Sequence, residues 1–434
     1  MSGKARTRRL AVAGSLAIFL ALALVVSASG AISADLVSRN SQGVSANGSS
    51  GTTQARNISA NGRFVAFDAK ATNLPGGSGT YFLPYLRDMQ TGKTMLMARK
   101  QNGQPATGAA VIGGISANAD VVSFEGAGTG LPGADPDNTE VWIRDRPAGV
   151  TRLVSRANNG DPADGADSVE PTASSSGRFV AFESAASNLP AGGHGEISRA
   201  YVRDMKLGQT ILVSRTSDGQ AVYARMCGQA ISSDGSRVVF FSDDPRLPGA
   251  NGYDHIYLRD VEQNRTTLID RRSNGTVATG DDSACPSISD NGRFVTFNSF
   301  APNLPGVTPP DTQQFLRDTQ TGRLFLVSRS NTGKPANGSA LYGQPSGDGT
   351  LVTFQASATN LPGGSALYDQ AYVRDMQRGR TKLLSKTDNG DPGDSASSEI
   401  SISLDGRWAA FTSDASNLGA TPPDYSVFRA GPMR

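Results

Sequence analysis

A short pattern returns through this chain at a spacing of 56 to 60 residues, and its first copy is incomplete. The clearest part reads Leu-Val-Ser-Arg or a close variant, at Leu36–Arg39, Leu96–Arg99, Leu153–Arg156, Leu212–Arg215, Leu268–Arg271, Leu326–Arg329 and Leu383–Lys386. A hydrophobic stretch ending in Arg-Asp precedes six of these copies, with its aspartate at Asp88, Asp145, Asp204, Asp260, Asp318 and Asp375. A third part, Ser-x-(Asp/Asn)-Gly-Arg followed by apolar residues, places its turn at Gly62, Gly177, Gly235, Gly292, Gly349 and Gly406, with Ala119 in the odd copy. A fixed period of this size marks a solenoid, a propeller or an array, whose units share one continuous architecture. Residues that recur in every copy are therefore read first as structural.

The copy around Ile288 shows what one repeat folds into. Cys285–Ser289 reads as a short strand A, and Asp290-Asn291-Gly292 as a tight turn in which glycine supplies positive φ. Arg293–Phe297, rich in β-branched and aromatic residues, reads as strand B. A long loop containing Asn303-Leu304-Pro305-Gly306 leads to strand C in Gln313–Asp318. A second tight turn, Thr319–Gly322, leads to strand D in Leu324–Arg329. Four antiparallel strands per repeat, without helical periodicity, predict an all-β, seven-bladed β-propeller. The lone Asp35–Arg39 is a strand D with no A, B or C before it. Ile400–Ser403, Arg407–Phe411 and Tyr425–Arg429 are an A, B and C with no D after them. The two ends are expected to share one composite blade, which removes exposed sheet edges.

Because strands alternate in direction, the short A–B and C–D turns are expected on one face of the disc. The long B–C and D–A connections then share the other. Long loops on a rigid scaffold are where binding usually resides. The long-loop face, with the mouth of the central channel, is the expected functional surface.

The first 31 residues read as a secretory signal peptide. Lys4, Arg6, Arg8 and Arg9 form a basic start, Leu10–Val26 an apolar run, and small residues place cleavage near 28 or 31. The alternative is a retained membrane anchor. Without those four basic residues, 37 Lys+Arg face 39 Asp+Glu, a net charge of −2. That balance provides no general attraction to nucleic acid or to an anionic membrane. The propeller is expected to occupy 35–430 as one domain, as a monomer that is secreted, periplasmic or held in the cell envelope. Cys227 and Cys285 occupy nearly equivalent places in neighbouring repeats, and an exported protein can keep a disulfide between them. Two buried free thiols are the alternative.

Ile-Ser-x-(Asp/Asn)-Gly-Arg-Phe-Val-x-Phe, Ser-x-Ala-x-Asn-Leu-Pro-Gly, Tyr-Val-Arg-Asp-Met and Leu-Val-Ser-Arg together resemble the WD-like repeat of TolB-type β-propellers. The best copies are Thr172–Arg215 and Ile288–Arg329, and the resemblance spans essentially all of 35–430. It implies the propeller fold and a bacterial source, but no single function. The repeat here is longer than the usual 40–45 residues.

The Arg-Asp pairs are expected to be structural, the aspartate capping the next turn and the arginine reaching acidic or carbonyl groups between blades. The leucine of Asn-Leu-Pro-Gly, as at Asn73–Gly76 and Asn360–Gly363, is expected to plug a gap beneath its loop. Asp135, Asp137 and Asn138 form the most calcium-like stretch, but the full loop signature with its Gly and distant Glu is absent, and they are read as a solvated acidic loop. His194 and His255, the two histidines, are expected to face solvent. Nucleophile-elbow, zinc-protease and phosphate-loop signatures are missing. No cofactor is expected. The sequence therefore points to a non-catalytic scaffold that binds a protein, peptide or cell-envelope polysaccharide. A carbohydrate-active hydrolase or lyase working at the channel mouth is the alternative. Tyr81, Phe82, Tyr223, Tyr342 and Tyr368, all assigned to the long loops, are the candidate binding residues.

Overall fold

The computed structural model describes residues 32–192, 197–420 and 425–433. The signal-peptide region and His194 lie outside the described residues. Seven antiparallel sheets follow one another as the blades of a propeller. Blades 1 to 6 span residues 50–96, 110–153, 168–212, 225–268, 283–326 and 340–383. In blade 5 the order from the channel outward is Ser283–Ile288, Phe294–Ser299, Gln313–Asp318 and Leu324–Leu326. Blade 7 is composite, as expected: Ser397–Ile402, Ala409–Ser413 and Ser426–Gly431 are completed by Ser33–Leu36. Ser33 lies opposite Gly431 and Leu36 opposite Phe428, so the ring is hydrogen-bonded shut.

One apolar pair anchors every blade. The second-strand phenylalanine stacks on an aromatic of the third strand, from Phe67–Tyr85 at 5.7 Å to Phe411–Phe428 at 5.7 Å. Such offset pairs add to the area that each ring buries. The recurring polar residues bind this frame together. In Leu-Val-Ser-Arg the serine accepts the third strand's N–H, as in Ala371 N to Ser385 Oγ at 3.0 Å. The Arg-Asp arginines reach back to the chain leaving the preceding blade: Arg374 donates to the Arg329 carbonyl at 3.0 Å, and within its own blade to Thr381 Oγ1 at 2.9 Å. The aspartates accept from the turn that follows, as Asp88 does from Gln90 N at 3.0 Å. Leu74, Leu131, Leu189, Leu247, Leu304 and Leu361 are buried beneath their loops.

The D–A connections are not free loops. Each begins with a small hairpin, marked by bridges from Arg39↔Ser45 to Lys386↔Pro392. Its tip lies along the outermost strand of the next blade. Ser41 accepts from Thr94 N at 3.1 Å, and Asn158 Oδ1 from Thr210 N at 2.7 Å. Leu324 N donates to Ser273 Oγ at 2.9 Å, and Thr381 N to Asn331 Oδ1 at 2.7 Å. These tips satisfy backbone groups of sheet edges that would otherwise recruit another chain.

Two blades depart from the pattern. The inner strand of blade 4 is reduced to the bridges Arg225↔Phe241 and Ile231↔Val238. That of blade 1 is Ser50–Gly51 and the bridge Ile58↔Val65, because between them the chain turns away across the channel.

Candidate functional site

One position of the second strand, directly after its stacked phenylalanine, reads Asp68, Glu125, Glu183, Phe241, Asn298, Gln355 and Thr412 around the ring. Several of these side chains accept a backbone N–H from the inner strand of the next blade. Ile112 N donates to Asp68 at 2.8 Å, Glu170 N to Glu125 at 2.5 Å, and Met226 N to Glu183. Glu399 N donates to Gln355 at 3.0 Å, and Thr52 N to Thr412 at 2.9 Å. The position therefore ties blades together. In blades 1 to 3 it does so with a carboxylate.

A β-bulge supplies the other carboxylates. The inner strands of blades 3, 5, 6 and 7 shift register, and there Glu170, Cys285, Tyr342 and Glu399 take φ of 54°, 49°, 54° and 52°. Non-glycine residues rarely adopt this left-handed conformation, and bulges re-aim a side chain near functional sites. Here they bring Glu170 and Glu399 to the channel mouth. A depression of about 200 Å³ is lined by Thr53, Gln54, Glu125, Glu170, Gly228 and Glu399. It shares Thr53, Val111 and Glu399 with a groove of about 640 Å³ between blades 7, 1 and 2. That groove adds Asp68, Phe82, Thr412 and Tyr425. Four carboxylates and no basic side chain line the combined surface.

Burial, reinforced by the Glu170 charge, pushes the Glu125 carboxyl up to about 7. Burial also raises Glu170 and Glu399. It raises Asp68 further, with Glu399 and Glu125 adding to the effect against the Ile112 N–H bond. Burial carries Glu183, behind the depression, up to about 8. The surface can hold protons near neutral pH and accept hydrogen bonds from hydroxyl or ammonium groups, and it offers no cation to an anionic ligand.

The floor is closed by blade 1. Gln54 O accepts from Gln344 Nε2 of blade 6, and Gln54 Oε1 lies 2.9 Å from Cys227 Sγ of blade 4. Arg56 Nη2 donates to Ile115 O at 3.2 Å and Ala173 O at 3.4 Å, in blades 2 and 3, and Nη1 stands 3.9 Å from Asp290 of blade 5. Burial lowers the Arg56 guanidinium to about 10. Residues 54–56 thus span the channel, and the mouth is a blind depression. Cys227 and Cys285 form a disulfide beside it, with Cα atoms 4.8 Å apart.

The candidate aromatics are not gathered in one place. Phe82 lines the groove. Tyr81 packs against the blade 1 core and donates to the Ala106 carbonyl at 3.2 Å. Tyr223 lies beneath the Arg225 guanidinium, 5.7 Å from its ring centroid. Tyr342 belongs to the inner strand of blade 6, not to a loop, and packs on the core. Tyr368 is half-buried in the B–C loop of blade 6. Asp135 is occupied by its own loop: it accepts from Asp137 N at 2.9 Å and Asn138 Nδ2 at 2.9 Å. Among the described residues no three His, Cys, Asp or Glu converge as metal ligands.

The solvent-facing expectation for His255 is corrected. It is fully buried, with Nδ1 2.7 Å from Asp270 and Nε2 2.9 Å from Asn251 Oδ1. The same place elsewhere holds Gln313, bonded to Ser328 at 2.6 Å, and Gln370, bonded to Ser385 at 2.5 Å. In blade 4 Asp270 replaces the serine of Leu-Val-Ser-Arg and histidine replaces glutamine. Asp68, Glu125, Glu170, Glu399 and Tyr425 were not singled out by motif. For Asp68 and Glu125 the signal was positional: lining up the repeats isolates a second-strand position that changes from blade to blade.

No protein-family model matches the sequence, and no curated protein sequence matches it. Solved structures share its fold at low identity. An oligogalacturonate lyase in complex with manganese is similar over 93% of this chain and 97% of its own, at 14% identity and a TM-score of 0.55. The propeller domain of the trilobed protease from Pyrococcus furiosus, described as having an open velcro topology, is similar over 89% and 94%, at 10% identity and a TM-score of 0.52. TolB from Acinetobacter baumannii is similar over 86% and 81%, at 13% identity and a TM-score of 0.41. Among the described residues no helix is long and apolar enough to cross a membrane.

Proposed function

We propose that this protein is an exported binding propeller that holds a protein, peptide or cell-envelope polymer in the groove between blades 7, 1 and 2. The observation that carries this reading is the lining itself. Asp68, Glu125, Glu170 and Glu399 supply acceptors, no basic side chain opposes them, and Phe82 and the exposed Tyr425 flank them. Aromatic faces beside hydrogen-bond acceptors suit a sugar ring or a basic peptide segment. A polyuronate would find acidic groups and no basic partner along this surface. The activity named for the oligogalacturonate lyase therefore fits this groove poorly, despite the shared fold.

A second reading rests on Glu125. A carboxyl held at about 7 beside Glu170 has the character of a general acid, which keeps a carbohydrate-active hydrolase or lyase in view. The test is an array of neutral, amino-substituted and acidic glycans and of basic and acidic peptides, probed with residues 32–434. The binding reading expects capture of neutral or cationic ligands, lost in Glu399→Gln and Tyr425→Ala. Capture unaffected by both substitutions would remove the groove from consideration. Turnover of a glycan abolished by Glu125→Gln would establish the second reading.

A further inference from the structure

The cleft between blades 4 and 5 holds a second concave site, and it shares no residue with the groove. A cavity of about 410 Å³ is lined by Arg237, Arg265, Arg271, Arg293 and Arg317, with Asp260 as its one acidic residue. Arg237 stands 3.8 Å from Asp260, and Arg293 is paired with Asp318 at 2.7 Å. Arg265, Arg271 and Arg317 have no carboxylate partner among the described residues.

A departure from the repeat meets a neighbouring arginine here. In the other Arg-Asp blades the arginine rests on a threonine seven residues on: Arg87 on Thr94, Arg203 on Thr210 and Arg374 on Thr381, each at 2.9 Å, Arg144 on Thr151 at 3.0 Å and Arg259 on Thr266 at 3.1 Å. In blade 5 that residue is Leu324. Arg317 turns to the carbonyls of Ile269, at 3.0 Å, and Gly322, at 2.5 Å. Its Nη2 is left without a hydrogen-bond partner although the residue is only 3% exposed. Arg271 adds a second cation. Arg156 and Arg329, at the same place in two other blades, fold onto their own hairpins, each donating through Nε to a glycine carbonyl at 2.8 Å. Arg271 lines the cavity without such a bond among the described residues. Burial and the neighbouring Arg271 charge lower the Arg317 guanidinium to about 10, a strain that a bound anion relieves.

We infer that this cleft is an oxyanion site, built to take a phosphate or sulfate group between Arg265, Arg271 and Arg317. Guanidinium groups match such oxygens in pairs, and a buried cation without a carboxylate partner rewards an incoming anion more than a solvated one does. The group can be a free ion or be carried on a polymer, since Arg265 keeps the cleft accessible from solvent.

Calorimetric titration of residues 32–434 tests this, using inorganic phosphate, inorganic sulfate and a polyphosphate chain at fixed ionic strength against sodium chloride. Saturable binding at one site per chain is expected. Arg271→Gln should weaken it about tenfold, the value of one charged hydrogen-bond partner. Leu324→Thr keeps every charge but restores the acceptor that occupies Arg317's counterparts, and it should also weaken binding. Arg152→Gln, in the corresponding cleft between blades 2 and 3, should leave binding unchanged. Tighter binding of polyphosphate than of the free ion assigns the site to a polymer, and equal per-site affinity assigns it to the free ion. The inference is overturned if no ligand saturates, or if Arg271→Gln and Leu324→Thr bind as the unsubstituted chain does.

Discussion

Val37 sits in the seam that joins the two ends of the chain, and its replacement by alanine measures what that seam contributes. The residue is fully buried against the blade 1 core and blade 7's Val427, and its N–H donates to Val427 O at 2.7 Å. Val154 occupies the same place within blade 2 and is equally buried, with its N–H bonded to Val141 O at 2.8 Å. Removing two methyl groups costs about 1.6 kcal/mol of transfer free energy, and the void left behind brings the total to about 2–3 kcal/mol. If the N-terminal strand is a full member of blade 7, Val37→Ala and Val154→Ala lower the urea midpoint by the same amount at unchanged slope. If the seam opens ahead of the ring, Val37→Ala instead reduces the slope, because part of the surface is already exposed. A Val37→Ala midpoint and slope matching the unsubstituted protein, beside a lowered Val154→Ala midpoint, would refute the closure argument.

Other consequences follow from the same geometry. Gly349 has φ of +69° and a Cβ there would lie 2.2 Å from Phe294, so Gly349→Ala should cost about 3 kcal/mol in chemical denaturation. Gly322, at φ of +71° with open space around it, should cost only about 1 kcal/mol on the same change. Replacing Cys227 and Cys285 by serine frees a loop of 58 residues, and loop-closure entropy sets the loss near 4 kcal/mol against the oxidised native protein, with the reduced native protein expected to match the variant. Glu183, raised by burial to about 8, favours the folded state fully below the unfolded carboxyl value, and that contribution is lost as pH rises towards 8. Glu183→Gln should therefore gain on the native protein between pH 4 and 9 in urea midpoints, and parallel profiles would contradict the assignment.

Strand order, the composite blade and the tight glycine turns were legible because they follow from alternation and turn chemistry that repeat in every copy. The hairpins on the rim were equally written in the chain, as Asn102-Gly103, Asn159-Gly160, Asp218-Gly219 and Asn274-Gly275. Read only as loop residues, they hid the fact that each connection folds back on itself. The site was less legible, for a physical reason. Glu170 and Glu399 reach the channel through a bulge that reverses φ, and a two-residue alternation does not reveal it. Gln54 and Arg56 leave their blade, Gln54 held by the side chains of Gln344 and Cys227 and Arg56 by the carbonyls of Ile115 and Ala173, all distant in sequence. His255 reads as exposed because the sequence around it shows no partner for a histidine at a strand start. Its partner Asp270 becomes visible only when blade 4 is set beside the serine of the other copies.

The rim hairpins also separate the repeat as written from the repeat as built. Each belongs by chain to one blade and by contact to the next, so cutting the ring between consecutive sequence repeats strips the cover from an outer strand. A circularly permuted or blade-exchanged propeller that places its new termini in an A–B turn keeps every rim strand sheathed. One that opens within residues 39–45 or their counterparts leaves a bare edge, and self-association of that product is the cost of choosing the boundary by motif rather than by contact.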